Sequence, residues 1–270
     1  MAGLAHALSS IRRADSLAGR STLASTIDAR AKLLASLWVV GVLASFPSYE
    51  VASLLPLALF PVVLLVTGEV PLGWLCGRLL LALPFVLMVG MLNPWLDPSP
   101  MASPWGAPIA AGWFSLASIL LRGLIAVSSA LLLLATTGII RIGYAMSALG
   151  LPAVLVNQVL FLYRYLFVVG EELARTVQAW QLRRAGKPRH GVPPHQLKLL
   201  LAAVLARTFQ RAMRIHQAML ARGFDGQLRL PSAPRWHLRD TVFLLFWIAF
   251  PLLARLVDIP LTLGRLLTGA

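Results

Sequence analysis

The sequence predicts an all-α membrane protein of about five transmembrane helices, with long amphipathic helices set between the last two spans. Three observations predict it. Of 270 residues, 58% are hydrophobic and only 13% charged, with a mean hydropathy of +0.77, against about 25% charged residues in an ordinary soluble domain. The apolar residues fall in long blocks rather than at helix or strand period. The charge is also lopsided, 24 Lys and Arg against 10 Asp and Glu for a net +14, and the cations gather in two stretches.

Residues 1–30 are polar, and Arg12, Arg13, Arg20, Arg30 and Lys32 precede the first apolar run, so no secretory signal is read there. That run, Leu33–Phe46, is short of the ~20 residues a crossing helix needs, which predicts a start within Ala29–Lys32 and charges snorkelling to the interface. A second span is predicted over Val51–Thr67 and a third over Leu75–Leu92, interrupted only by Arg78 and Pro84. Residues 94–113 hold five prolines and three tryptophans, which predicts a loop with an interfacial aromatic belt. A fourth span follows over Leu116–Ile140, with Arg122 near its start.

The character then changes. Between Arg141 and Asp240 stand 15 Lys and Arg against four acids, Glu171, Glu172, Asp225 and Asp240. Turn signals at Gly150-Leu151-Pro152, Gly186–Pro194 and Gly223–Pro234 divide the stretch into a short helix, a long helix over 153–184 and another over 195–222. A last span is predicted over Thr241–Leu256. The domain organisation is therefore a tail with spans one to four (1–140), a basic helical region that is partly membrane-associated (141–240), and a final span with its tail (241–270). Lys and Arg collect on the cytoplasmic side of membrane proteins. The N-terminus and residues 141–240 are thus expected to be cytoplasmic in a multi-pass protein of the plasma or inner membrane. The Lys- and Arg-free stretches 47–50 and 94–113 are expected outside.

Several function classes lack their residues. No GxxxxGK[ST] stands in the chain, so no ATP site of its own is expected. His6, His190, His195, His216 and His237 form no HxxxH or HExxH pair; His190 and His195 flank a proline-rich turn, where imidazoles are ordinarily solvated. The single cysteine, Cys76, excludes a cysteine metal site or an internal disulfide, and no GxSxG nucleophile is present. The spans carry almost no carboxylates for a proton or cation relay, and snorkelling accounts for Arg78 and Arg122. No catalytic residue, metal site or cofactor is expected. A basic balance points to nucleic acid in a soluble protein, but Leu151–Val169 and Leu197–Leu205 are too apolar for that, and no nucleic-acid partner is expected.

What remains is a pair of similar segments, Ala179–Gly186 and Gln217–Phe224. Each places arginine where a helical pattern runs out, Arg183 and Arg184 in the first and Arg222 in the second, followed by Gly186 or Gly223. Gly223 reads as a C-terminal cap, and a cation at that end is favoured by the helix dipole in any protein. Two such ends closing consecutive helices read as a matched pair. Arg207, Arg211, Arg214 and Arg222 fall within one quadrant of a helical wheel, a basic stripe that a solvated face or an anionic lipid surface also explains.

With these segments in view the sequence resembles the transmembrane T component of energy-coupling factor transporters, most closely the cobalt/nickel, CbiQ-type branch. The resemblance runs over nearly the whole chain. It is carried by Thr26-Ile27-Asp28-Ala29-Arg30-Ala31-Lys32-Leu33-Leu34, Ala135-Thr136-Thr137, Leu149-Gly150-Leu151-Pro152, Tyr163-Arg164-Tyr165, Glu171-Glu172 and the two arginine segments. The family's signature is a pair of Ala-Arg-Gly-like triplets. Ala221-Arg222-Gly223 matches it fully, whereas Leu182-Arg183-Arg184 keeps the arginine alone, so either Arg183 or Arg184 fills the first role.

The resemblance implies a non-catalytic scaffold. Two ATPase subunits would receive the two arginine ends, and a substrate-binding S component in the bilayer would receive the motion, with Arg207, Arg211 and Arg214 in support. It implies cobalt or nickel uptake, with a T component shared among vitamin-binding partners as the neighbouring reading. From another class, a membrane-anchored enzyme acting at anionic lipid would need a polar catalytic cluster at membrane depth.

Overall fold

The computed structural model describes residues 13–47, 49–97, 99–102, 108–183, 194–226 and 236–256. Among these the chain is helical apart from one small hairpin. The helices are α1 (Ala29–Ala44), α2 (Leu59–Thr67), α3 (Leu72–Gly90), α4 (Asn93–Leu96), α5 (Ala111–Thr137), α6 (Ile139–Ala148), α7 (Ala153–Arg183), α8 (Pro194–Ala221) and α9 (Leu238–Leu256). Turns of 3-10 helix stand at Leu23–Thr26 and Ala52–Ala58. The described residues divide into two compact units, one lying within 14–142 and 234–270, the other within 1–13 and 143–233.

In the first unit α5 touches α1, α2, α3 and α4, and α9 packs along α1. The surface α5 offers is made of small residues, Ser115, Ser118, Ser128, Ser129 and Ala135, all buried. Such residues let helix backbones approach closely where lipid removes most of the hydrophobic drive. The hydroxyls of Ser128 and Ser129 donate to the Ile125 carbonyl, so their burial leaves no bare donor. Gly123 leaves room for a side chain of α3, since a Cβ there would lie 2.6 Å from Val86 Cγ1. Trp247 of α9 is 2% exposed and meets the Phe60 ring edge-on at 4.8 Å. By contrast α3 leaves Leu81, Phe85 and Met88 open, as a lipid-facing helix does.

Local chemistry explains the helix ends. Asp28 caps α1 by accepting the Arg30 amide at 2.8 Å, so the first helix begins at Ala29, within the predicted window. Gly150 at φ +90° ends α6 beside the predicted Gly-Leu-Pro turn, with Leu151 N–H reaching the Met146 carbonyl and Gly150 N–H the Ser147 carbonyl.

Other expectations need correction. Lys32 does not snorkel: it is fully buried and donates to the carbonyls of Ala24 and Thr136, at 3.1 and 3.2 Å. Two helix-end carbonyls brought together inside the unit give the ammonium better partners than the interface would. Arg122 lies well inside α5 because that helix starts at Ala111 rather than Leu116, and it donates to the Pro47 carbonyl. The second predicted span is a 3-10 turn running into α2, since Pro56 lacks the amide a continuous α-helix needs. Residues 94–113 are not all loop: Pro100–Ala102 pairs antiparallel with Pro108–Ala110.

Among the described residues three helices are long and apolar enough to cross a membrane: Leu72–Trp95, which extends α3, together with α5 and α7. The sequence places the last of these in the basic region. Yet between Ala153 and Gly170 Arg164 is the one charged residue, and the remaining charges of α7 come after it. At 16 residues α1 falls short of a span, as does α9, which carries Arg239, Asp240 and Arg255. The chain has the fold of an all-α membrane protein, with three helices of spanning character among the described residues and shorter apolar helices beside them.

Candidate functional site

The site predicted from the two arginine segments lies on α7 and α8, which pack against each other in the second unit. Pro152 fixes the start of α7: its carbonyl accepts the Leu155 amide at 3.0 Å. Pro194 is the first residue of α8, where a missing amide costs nothing. Arg183 is the last residue of α7, exposed, with the dipole end favouring its charge. Arg184, the alternative for the first role, lies outside the described residues.

The second segment closes α8 by geometry that glycine makes possible. Gly223 has φ +77°, its N–H bonds the Leu220 carbonyl at 3.0 Å, and Phe224 N–H bonds the Met219 carbonyl at 3.0 Å. This double closure satisfies the last carbonyls and presents Ala221, Arg222 and Gly223 on an exposed corner. Beyond it, Asn157 Nδ2 near the start of α7 donates to the Gly226 carbonyl at 2.6 Å. The C-terminal end of α8 therefore lies beside the N-terminal end of α7, and the helices run antiparallel. Arg183 and Arg222 stand at opposite ends of the pair.

Between these ends the basic stripe is not simply solvated. Glu172 of α7 receives Arg207 Nη1 at 3.3 Å and Arg211 Nη2 at 3.8 Å from α8, and Arg175 Nη2 at 3.4 Å from its own helix. Its side chain is 18% exposed, less than any of the three guanidinium groups around it. Arg214 and Arg222 are exposed. Sequence reasoning placed Arg207 and Arg211 but gave Glu172 no role. The signal was its rarity as an acid among 15 cations.

From Glu172 towards Phe224 runs a groove of about 850 Å³, walled by Phe161, Leu162, Tyr165, Phe209 and Met219. Leu162 and Phe209 stay more than half exposed, the kind of apolar surface that ordinarily receives lipid or a partner. Among the described residues no three or more of His, Cys, Asp and Glu come together as a metal site.

The family model for CbiQ, described as cobalt transport protein, matches residues 20–233, a stretch that includes α1 to α8 and both arginine segments. The chain belongs to the CbiQ family. Two relatives align over part of this family member. An uncharacterized protein of Methanocaldococcus jannaschii, MJ1089, is 32% identical over 104 residues, 38% of this chain and 38% of that protein. The nickel permease LarQ of Lactiplantibacillus plantarum is 28% identical over 109 residues, 39% of each. The matched stretch thus spans well under half the length of either relative. Membership makes this chain a membrane component of a transport-protein family.

Proposed function

We propose that this chain is the energy-coupling scaffold of an ATP-driven importer. In this reading it takes motion from two ATPase subunits and passes it to a substrate-binding partner in the membrane. The observation that carries the reading is the disposition of Arg183 and Arg222. Each closes one of two packed antiparallel helices, each is exposed, and the two lie at opposite ends of the pair. Eleven residues separate Arg183 from Glu172, and eleven separate Arg222 from Arg211. At ~1.5 Å per residue that sets the two ends on the order of 30 Å apart. Such a spacing suits two soluble subunits side by side, each receiving one arginine.

Arginine fits that joint because its planar fork satisfies a carboxylate or several carbonyls at once. The groove and the open apolar faces of α7 and α8 suit a membrane partner. Cobalt or nickel is the substrate class this reading takes, from the family's description and from the name of the permease it resembles. The ion would be held by the partner. The test is metal uptake in cells carrying the whole transporter with Arg222→Ala in this chain. Uptake falls to background while the chain stays in the membrane; uptake at the wild-type rate contradicts the reading.

A further inference from the structure

We infer that Glu172 is an electrostatic clasp that makes α7 and α8 move as one body, so that displacement at the Arg183 end reaches the Arg222 end. The inference rests on the coupling reading and adds a residue to it. Two ties stand out among the described residues of the helix pair. Towards the Arg222 end, Asn157 holds the Gly226 carbonyl and Phe224 folds back onto Met219. Midway, Glu172 gathers Arg175, Arg207 and Arg211. Between the two ties the helices enclose the groove rather than a filled core.

Apolar burial along α8 is thin: Val204 is its one buried hydrophobic residue among those described, while α7 buries Val156, Leu160 and Val177. The charges must therefore do much of the holding. A single carboxylate holds three cations within 4 Å, so losing it turns attraction into mutual repulsion among guanidinium groups. This separates the clasp from an isolated surface pair, whose loss is hardly measurable. Its position matters as much as its strength. Glu172 and Arg211 each stand eleven residues, about 16 Å of helix, from the arginine closing their own helix. A clasp there gives both ends equal leverage.

The test uses the full chain purified in detergent, with Cys76, the exposed free cysteine, replaced by serine. Spin labels at Leu182 and Leu199 report the Arg183 end, and labels at Val154 and Leu220 report the end held by Asn157; all four side chains are exposed. Glu172→Gln broadens the Leu182–Leu199 distance distribution, Glu172→Arg lengthens its mean, and Val154–Leu220 changes less in both. Glu172→Arg combined with Arg207→Glu and Arg211→Glu brings the first distance back. Unchanged distances in Glu172→Arg, equal change at both ends, or no recovery in the charge-reversed triple variant overturn the clasp. In the assembled transporter, Glu172→Gln keeps its ATPase subunits but raises ATP hydrolysed per ion moved at least threefold, and Glu172→Asp restores the ratio. If no ATPase subunit joins the wild-type chain, the coupling reading fails while the distance measurements still judge the clasp.

Discussion

Helices α5 and α8 have nearly the same length, 27 and 28 residues, and are packed in opposite ways. Twelve residues of α5 are buried, most of them Ala, Gly, Ser or Thr, and their smallness brings α1, α2 and α3 against it. In α8 Val204 is the one buried residue among those described, while Leu199, Phe209 and Met213 stay open and the charged side chains do the joining. The first helix is stabilised by shape, the second by charge. A helix that must keep four neighbours in place needs close packing, which is bistable or rigid but never loose. In the coupling reading α8 moves together with α7, and the carboxylate that gathers three guanidinium groups is the joint between them. Open apolar side chains on α8 are what a subunit leaves for others to cover.

This contrast predicts a graded set of effects, and each can break it. The largest belongs to the packed unit. Trp247→Ala removes the ring that meets Phe60, Phe246 and Phe250 and costs about 3–5 kcal/mol, read as a fall in the thermal midpoint of the detergent-solubilised protein. Lys32→Met comes next. It removes the ammonium that joins the Ala24 and Thr136 carbonyls beside the buried Asp28 and Asp240, and leaves Ala24 with the Ile27 amide, for about 3 kcal/mol. If Lys32→Met melts like the wild type, the buried ammonium is not a structural clamp.

On the helix pair the effects are smaller and local. Gly223→Ala forces a Cβ into φ +77° and costs about 1–2 kcal/mol, seen as faster hydrogen exchange at Gly223 and Phe224 with α5 unchanged. A matching loss of protection in α5 would show that the two regions are not energetically separate.

The smallest effect is at the surface. Asp97 accepts hydrogen bonds from Ser99 at 2.5 Å and Tyr49 at 2.6 Å, and these hold its carboxyl below the usual range. A depressed carboxyl contributes stability above its unfolded pKa of ~3.9 and loses it as the pH falls through the folded value. Tyr49→Phe with Ser99→Ala therefore flattens the acid side of the stability profile below about pH 4. A profile with the wild-type slope contradicts the assignment.

How legible the molecule is in its sequence follows the same division. Features that depend on neighbours along the chain could be read, among them Pro152 and Pro194 before helices and Gly150 and Gly223 at helix ends; the start of α1 is legible within Ala29–Lys32, and the Asp28 cap that sets it comes from the structure. These act through φ, a missing amide or a capping oxygen, all within a turn of the residue. Features that depend on distant partners could not. Lys32 is charged and near a helix start, which reads as snorkelling, and only the approach of the Thr136 carbonyl from 104 residues away makes it a buried clamp. Arg207 and Arg211 read as a solvated stripe, and Glu172, on another helix, pairs with both of them while they stay exposed. The hairpin at 100–110 was hidden because proline ordinarily argues against strands, and this two-stranded ribbon tolerates it at both outer pairs.

The measurement that bears most directly on the coupling reading is purification of this chain, through a tag on it, from cells that also make candidate ATPase subunits of the same genome. The wild type is compared with the Arg183→Ala, Arg222→Ala double variant. ATPase subunits that accompany the wild type and are lost from the double variant, at equal amounts of folded membrane protein, are the predicted result. A double variant that retains its ATPase subunits would make the two arginines ordinary helix ends and contradict the account.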